Sequence, residues 1–136
     1  MYRIRKQFRF SMAHQLYSCF SECCKNAIHG HEYVLEVFFE SKELNKDGMI
    51  IDFGEVKFLM DDYVDSWDHA LVMPDSFPEE YLNSLKKFNK KIKIVNYNPS
   101  AENMAKDMYA KFKKHIPQTC KVRLHETTTG YAEYYE

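Results

Sequence analysis

Glycine, proline and cysteine are scarce in this chain, at four each among 136 residues. So few chain breakers, with no repeat and no low-complexity tract, exclude a fibrous or linker-rich architecture and leave nothing that reads as a domain boundary. One domain over residues 1–136 is expected. Three of the cysteines (Cys19, Cys23, Cys24) crowd into residues 19–24 and the fourth is Cys120. A chain of this size does not need staples, so reduced thiols are expected. No run approaches the roughly 20 apolar residues needed to cross a bilayer. The opening MYRIRKQFRF alternates charged with apolar residues, where a signal peptide needs an unbroken apolar stretch. A soluble, cytoplasmic protein with no membrane partner is the expectation. Neither sign of charge dominates, with 19 Lys and Arg against 20 Asp and Glu, and neither forms a block that could coat nucleic acid. What is present is apolar: 45% of residues are hydrophobic and 15% aromatic, enough for one well-packed core.

Residues 2–12 alternate, with Tyr2, Ile4, Phe8, Phe10 and Met12 on one parity and Arg3, Arg5, Gln7 and Arg9 on the other, the period of a half-buried strand. Residues 32–40 repeat the pattern. From Asp52 the period becomes helical through Phe53, Val56, Leu59, Met60 and Tyr63, and Asp52 with Glu55 resembles a capping box, predicting a helix over 53–65. A more polar helix over 79–90 and a short strand at 91–95 follow. Ser100 reads as the N-cap of a helix that ends before Pro117, and residues 119–126 and 131–135 read as a closing hairpin. The order predicts an α+β layout with the main strands antiparallel and helices on one face of the sheet, whose other, apolar side would need a partner chain to cover it.

Four constellations could carry chemistry. His29-Gly30-His31 places two imidazoles on the parity of Tyr33, Leu35 and Val37, and His14 shares the inward parity of Phe10 and Met12. Three histidines converging with an open fourth position make a catalytic zinc site, although a core His14 and an ordinary HGH loop fit the same spacing. Cys23 and Cys24 lie in a polar loop just upstream, where a thiolate could act as nucleophile or base and where two plain thiols would look the same. Asp68-His69 follows the first helix and could be a carboxylate-imidazole proton shuttle or a solvated helix end. Glu126 continues the buried parity of Val122 and Leu124, and a buried carboxylate needs a donor, whether an internal cation or the amino-pyrimidinone edge of a pterin or guanine.

Taken in order, FSMAH at 10–14, Cys24 ahead of His29-Gly30-His31, GMIIDF at 48–53, WDHALV at 67–72, NPSAEN at 98–103 and HETTTG at 125–130 resemble the 6-pyruvoyltetrahydropterin synthase family. That family includes the bacterial 6-carboxytetrahydropterin synthases of queuosine biosynthesis. The resemblance covers essentially the whole chain. It implies a tunnelling fold, in which an antiparallel sheet carries helices on one face and subunits join edge to edge into a barrel, two trimers stacking into a homohexamer. It also implies Zn2+ on His14, His29 and His31, a catalytic set of Cys24 with Asp68 and His69, and substrate contacts at Glu126, Thr127 and Glu102. The implied substrate is 7,8-dihydroneopterin triphosphate, converted without a redox cofactor.

The resemblance is not uniform. Gln15 follows His14 where a basic residue is common in the family, so Lys25 is a substitute for triphosphate contact. Either Cys24 or Cys23 suits the spacing to HGH, and Glu22 is a third possibility because some relatives use a glutamate there and cleave the side chain as an aldolase would. The compact DGMIIDF and HETTTG segments favour the carboxy synthase. The pyruvoyl synthase is the alternative, and a zinc-bearing pterin or purine binding protein without turnover is the competitor from another class.

Overall fold

The computed structural model describes residues 1–22 and 27–136. The alternating opening segment becomes β1 (Tyr2–His14), and the second becomes β2 (His29–Ser41). They pair antiparallel along their whole length, from Tyr2 opposite Ser41 to His14 opposite His29. Helix α1 (Phe53–Asp65) starts where its cap requires, with the Asp52 carboxylate accepting from the Gly54 amide at 2.6 Å. Then come β3 (Leu71–Pro74), α2 (Glu79–Phe88), β4 (Ile92–Val95) and α3 (Ala101–His115), the last capped by Ser100. The chain closes with the antiparallel pair β5 (Thr119–His125) and β6 (Tyr131–Tyr135).

The sheet order is β4-β3-β1-β2-β5-β6. Its long part, β1-β2-β5-β6, is antiparallel as expected. The sheet is nevertheless mixed, because β3 runs parallel to both β1 and β4. Strand β3 was invisible to periodicity: all of Leu71–Pro74 is buried, and a strand covered on both faces reads as a plain apolar run. Against one face, β1 and β2 present Phe8, Phe10, Met12, Tyr33, Leu35, Val37 and Phe39 to Val56 and Met60 of α1 and Met104, Met108 and Phe112 of α3. Helix α2 makes a separate small cluster, Leu82 packing with Leu71 and Met73, whose parity is opposite to that of Val72 in the main core. The one-sided helix layer therefore holds for α1 and α3, with α2 added behind β3.

The reverse face of the long strands differs from the apolar side foreseen. It is a ladder of ions: Arg3 pairs with Glu40, Arg5 and Arg123 converge on Glu36, and Glu133 receives Arg123 at 2.6 Å and Lys121 at 3.2 Å. His125 adds a 2.7 Å bond from Nε2 to Glu36. Glu36 is thereby covered to 4% side-chain exposure by these side chains. The sheet's unmet need lies at its edge. Strand β3 reaches β1 only at Ala13 and His14, so among the described residues the outer edge of β1 from Tyr2 to Met12 has no strand partner.

Candidate functional site

The β1–β2 register sets the site. His14 stands opposite His29, Met12 stands opposite His31, and the two-residue period puts all three imidazoles on the core face. Gly30 between the two β2 histidines faces β1 closely: a Cβ there would lie 3.3 Å from the Met12 carbonyl oxygen. One ligand nitrogen from each of His14, His29 and His31 lies within 4.8 Å of the others. Tetrahedral zinc at about 2.0–2.1 Å from each nitrogen needs them about 3.3 Å apart, so the cluster is of the right size.

The proton assignments also fit a cation. His14 Nδ1 lies 2.9 Å from the Pro99 carbonyl and His29 Nδ1 lies 3.1 Å from the Ala27 carbonyl. A carbonyl only accepts, so both Nδ1 atoms carry the proton and both Nε2 atoms present lone pairs. Those two Nε2 atoms face each other at 3.0 Å. His31 Nε2 is buried with no hydrogen-bond partner among the described residues. Burial, with smaller contributions from the neighbouring His29 and His31, pulls the His14 pKa down to about 4 although the Pro99 contact opposes it, so a proton is a poor bridge between these rings. A divalent metal taking neutral imidazoles satisfies all three nitrogens at once.

Glu126 approaches the cluster, its Oε1 3.7 Å from His31 Nε2. Its side chain is 32% exposed and not fully buried as the alternation of β5 implied, because β5 ends at His125 and the chain turns before Glu126. That turn is closed by Gly130, whose carbonyl accepts from the Glu126 and Thr127 amides, while Thr127 Oγ1 accepts from the Gly130 amide at 3.1 Å. Glu126 and Thr127 line a cavity of about 300 Å3 together with Glu102, Ser100 and Ala101 at the N-terminus of α3 and Leu16 beyond β1. All three candidate substrate contacts therefore open on one space.

Asp68 and His69 are paired with each other, His69 Nδ1 lying 3.0 Å from Asp68 Oδ1. Neighbouring residues usually point apart, and here the left-handed backbone at His69 (φ 58°) lets them converge. The pair is fastened to β1 at one residue: the Ser11 amide donates to Asp68 Oδ1 at 2.9 Å and the Ser11 carbonyl accepts from the His69 amide. The Ser11 amide, helped by His69, holds the Asp68 carboxyl below its usual range despite some opposing burial. Asp68 then keeps the proton on His69 Nδ1 and leaves Nε2 free as a base on a largely exposed ring. His69 shares a second cavity, of about 360 Å3, with Ser11, Gly30, His31 and Glu32. Cys23, Cys24 and Lys25 lie outside the described residues, and Glu22 is exposed. Sequence reasoning missed Pro99 and Ser11. Both act through backbone atoms, which leave no residue signature, although the NPS turn and the FSMAH strand marked their neighbourhoods.

Residues 3–136 match the family described as 6-pyruvoyl tetrahydropterin synthase. The chain is 34% identical over 145 aligned positions to a Haemophilus influenzae protein named 6-carboxy-5,6,7,8-tetrahydropterin synthase, covering 100% of both chains. It is 31% identical over 142 positions to a Helicobacter pylori protein of the same name, covering 96% of this chain and 70% of that one. Among solved structures, the Caenorhabditis elegans 6-pyruvoyl tetrahydropterin synthase superposes with a TM-score of 0.72 at 25% identity, covering 99% of this chain and 95% of the other. With fold, histidine cluster and sequence in agreement, the chain belongs to the 6-pyruvoyl tetrahydropterin synthase family.

Proposed function

We infer that this chain is a zinc-dependent 6-carboxy-5,6,7,8-tetrahydropterin synthase, a single domain over residues 1–136. It would convert 7,8-dihydroneopterin triphosphate to 6-carboxytetrahydropterin with release of acetaldehyde and triphosphate, in queuosine biosynthesis. The observation that carries this reading is the meeting of His14, His29 and His31 with Glu126 at the mouth of the cavity lined by Thr127 and Glu102. The names of the bacterial relatives support the carboxy product. The similarity to the nematode pyruvoyl synthase supports the runner-up, triphosphate elimination from the same pterin.

His14, His29 and His31 are assigned as the metal ligands. Zinc bound there supplies a Lewis acid that polarises a side-chain oxygen placed against it. The Glu126 carboxylate suits the paired N–H donors of the amino-pyrimidinone edge, an arrangement in which charge-assisted bonds fix the ring in one orientation. Thr127 and Glu102 are assigned to the same ring. His69, its tautomer held by Asp68, would exchange protons with the substrate hydroxyls, and Cys24 (or Cys23) would move protons on the side-chain carbons. Assembly into a homohexamer, a dimer of trimers, would engage the unpartnered outer edge of β1.

The test is mass spectrometry of products after the zinc-loaded protein is incubated anaerobically and under reducing conditions with 7,8-dihydroneopterin triphosphate. Carboxytetrahydropterin with acetaldehyde is expected. A pyruvoyl product would promote the runner-up, and bound but unchanged substrate would favour a pterin-binding protein.

A further inference from the structure

The side chain of Asn98 is tied to the segment that follows the strand carrying the first histidine. The Tyr17 amide donates to Asn98 Oδ1 at 2.8 Å, and Asn98 Nδ2 donates to the Ser18 carbonyl at 2.8 Å. The next residue, Pro99, is buried and offers its carbonyl to His14 Nδ1. The Asn98 carbonyl accepts from the Ser100 amide at 2.7 Å and from Asn103 Nδ2 at 3.0 Å, which joins the turn to the first turn of α3. His14 therefore sits inside a closed circuit: its ring is held through Pro99, and the backbone that leaves it is held at residues 17 and 18 by the residue before Pro99.

Each part of the circuit needs its own chemistry. A residue before proline is restricted to extended backbone, which fixes where Asn98 points. Bridging an N–H and a C=O with one short side chain needs an acceptor and a donor together, and a primary amide offers them on two separate atoms of one rigid plane. Capping of α3 does not need this amide, because Ser100 Oγ already accepts from the Asn103 amide.

We propose that Asn98 is a positioning residue for the metal centre: by clamping Tyr17 and Ser18 it holds the Pro99 carbonyl on His14 and so fixes the direction of His14 Nε2. The proposal rests on reading the three histidines as a metal site and is independent of which pterin reaction follows. Partners that orient a ligating imidazole typically contribute 10- to 100-fold to metal affinity, and one acting through a neighbour belongs at about the lower end.

The experiment uses the full chain and Co2+ alone, read by its visible absorption and by competition with a chromogenic chelator. Asn98→Ala is expected to weaken Co2+ binding about tenfold and to change the absorption envelope. Asn98→Asp, which keeps the acceptor for Tyr17 and loses the donor for Ser18, is expected to fall between it and wild type. The comparison variant is Lys113→Met, which removes bonds from Nζ to the Pro117 and Thr119 carbonyls at the far end of α3. It is expected to lower the melting temperature with an unchanged cobalt spectrum. Asn98 variants that melt earlier yet bind Co2+ with the wild-type affinity and spectrum would reduce the residue to a structural tie and overturn the proposal. Wild-type protein that takes up no Co2+ would overturn the metal reading, and this proposal with it.

Discussion

At the scale of single residues, the candidate site divides into groups that could hold a metal ion and groups proposed to hold a ligand, and Glu126 lies beside both. Its carboxylate lies 3.7 Å from His31 Nε2 yet faces the cavity shared with Thr127 and Glu102. Glu126→Gln keeps the shape, removes the charge and replaces one acceptor with a donor. Loss of a charge-assisted pair of hydrogen bonds should raise KM for the pterin about 10- to 100-fold. Zinc content, measured by atomic absorption, should be unchanged because the three histidines are untouched. A variant that loses its metal instead would make Glu126 part of the metal centre. The histidines were legible as inward-facing from parity, and their meeting was an expectation of the resemblance, because the spacing alone fits a core histidine and a plain loop as well. The orientation of each ring was not legible, since it depends on carbonyls of Pro99 and Ala27, and Pro99 is 85 residues away from His14 in the chain. The convergence of Asp68 and His69 was equally hidden, because a positive φ at a non-glycine residue has no reliable sequence mark.

At the scale of elements, what sequence could and could not foretell follows from exposure. Helices α1 and α3 have one wet face and a side-chain cap, Asp52 and Ser100, so both periodicity and boundary were readable. Strand β3 is wet on neither face and carried no pattern. Strand β2 is a third case: its alternation places three glutamates on the face away from the core, and Glu36 among them is buried beneath Arg5, Arg123 and His125. Burial alone would raise its pKa, but the hydrogen bonds from His125 and Arg5 and the charges of both arginines outweigh that, and the net shift is downward. A carboxylate with a depressed folded-state value adds stability that is present above its unfolded value of 4.5 and is lost as pH falls through the lower folded value. Glu36→Gln should therefore cost about 2 kcal/mol near neutral pH, a lower-end value because Arg5 is half exposed and screened by solvent. In urea melts from pH 7 down to pH 3 the gap between wild type and variant should close as the carboxylate protonates. A gap that stays constant over that range would show that packing, and not charge, accounts for the residue's contribution.

At the scale of the whole molecule, the sheet is covered on its faces and, among the described residues, open along the outer edges of both β1 and the terminal strand β6. The core face is sealed by α1 and α3, and the ion ladder covers much of the other. The outer edge of β1 is open from Tyr2 to Met12. Odd-numbered residues there direct their backbone groups outward, as the Ser11 and Ala13 amides do toward Asp68 and Ala70. The exposed Gln7 lies within this edge, and Gln7→Pro removes an outward N–H without taking a rung from the β1–β2 ladder. If this edge joins subunits, sedimentation should show the wild-type protein as a hexamer and Gln7→Pro as smaller species, with the monomer still folded by circular dichroism. An unchanged sedimentation coefficient would place the subunit contact elsewhere.

The pairing of His14 with His29 has a bearing on how such a protein can change over time. The backbone spacing of the three histidines is set by rungs of a ladder, and the connection of residues 15–28 contributes only at its ends, through residues 17 and 18 and Ala27. The stretch between the clamped residues 17 and 18 and Ala27, which contains Glu22, Cys23 and Cys24, lies outside both sets of contacts and is free to differ in length and side chain while those contacts are kept. If the histidines hold a cation and that stretch supplies the reactive group, the two properties are separately heritable, and one scaffold can pass between neighbouring chemistries by rewriting a single segment.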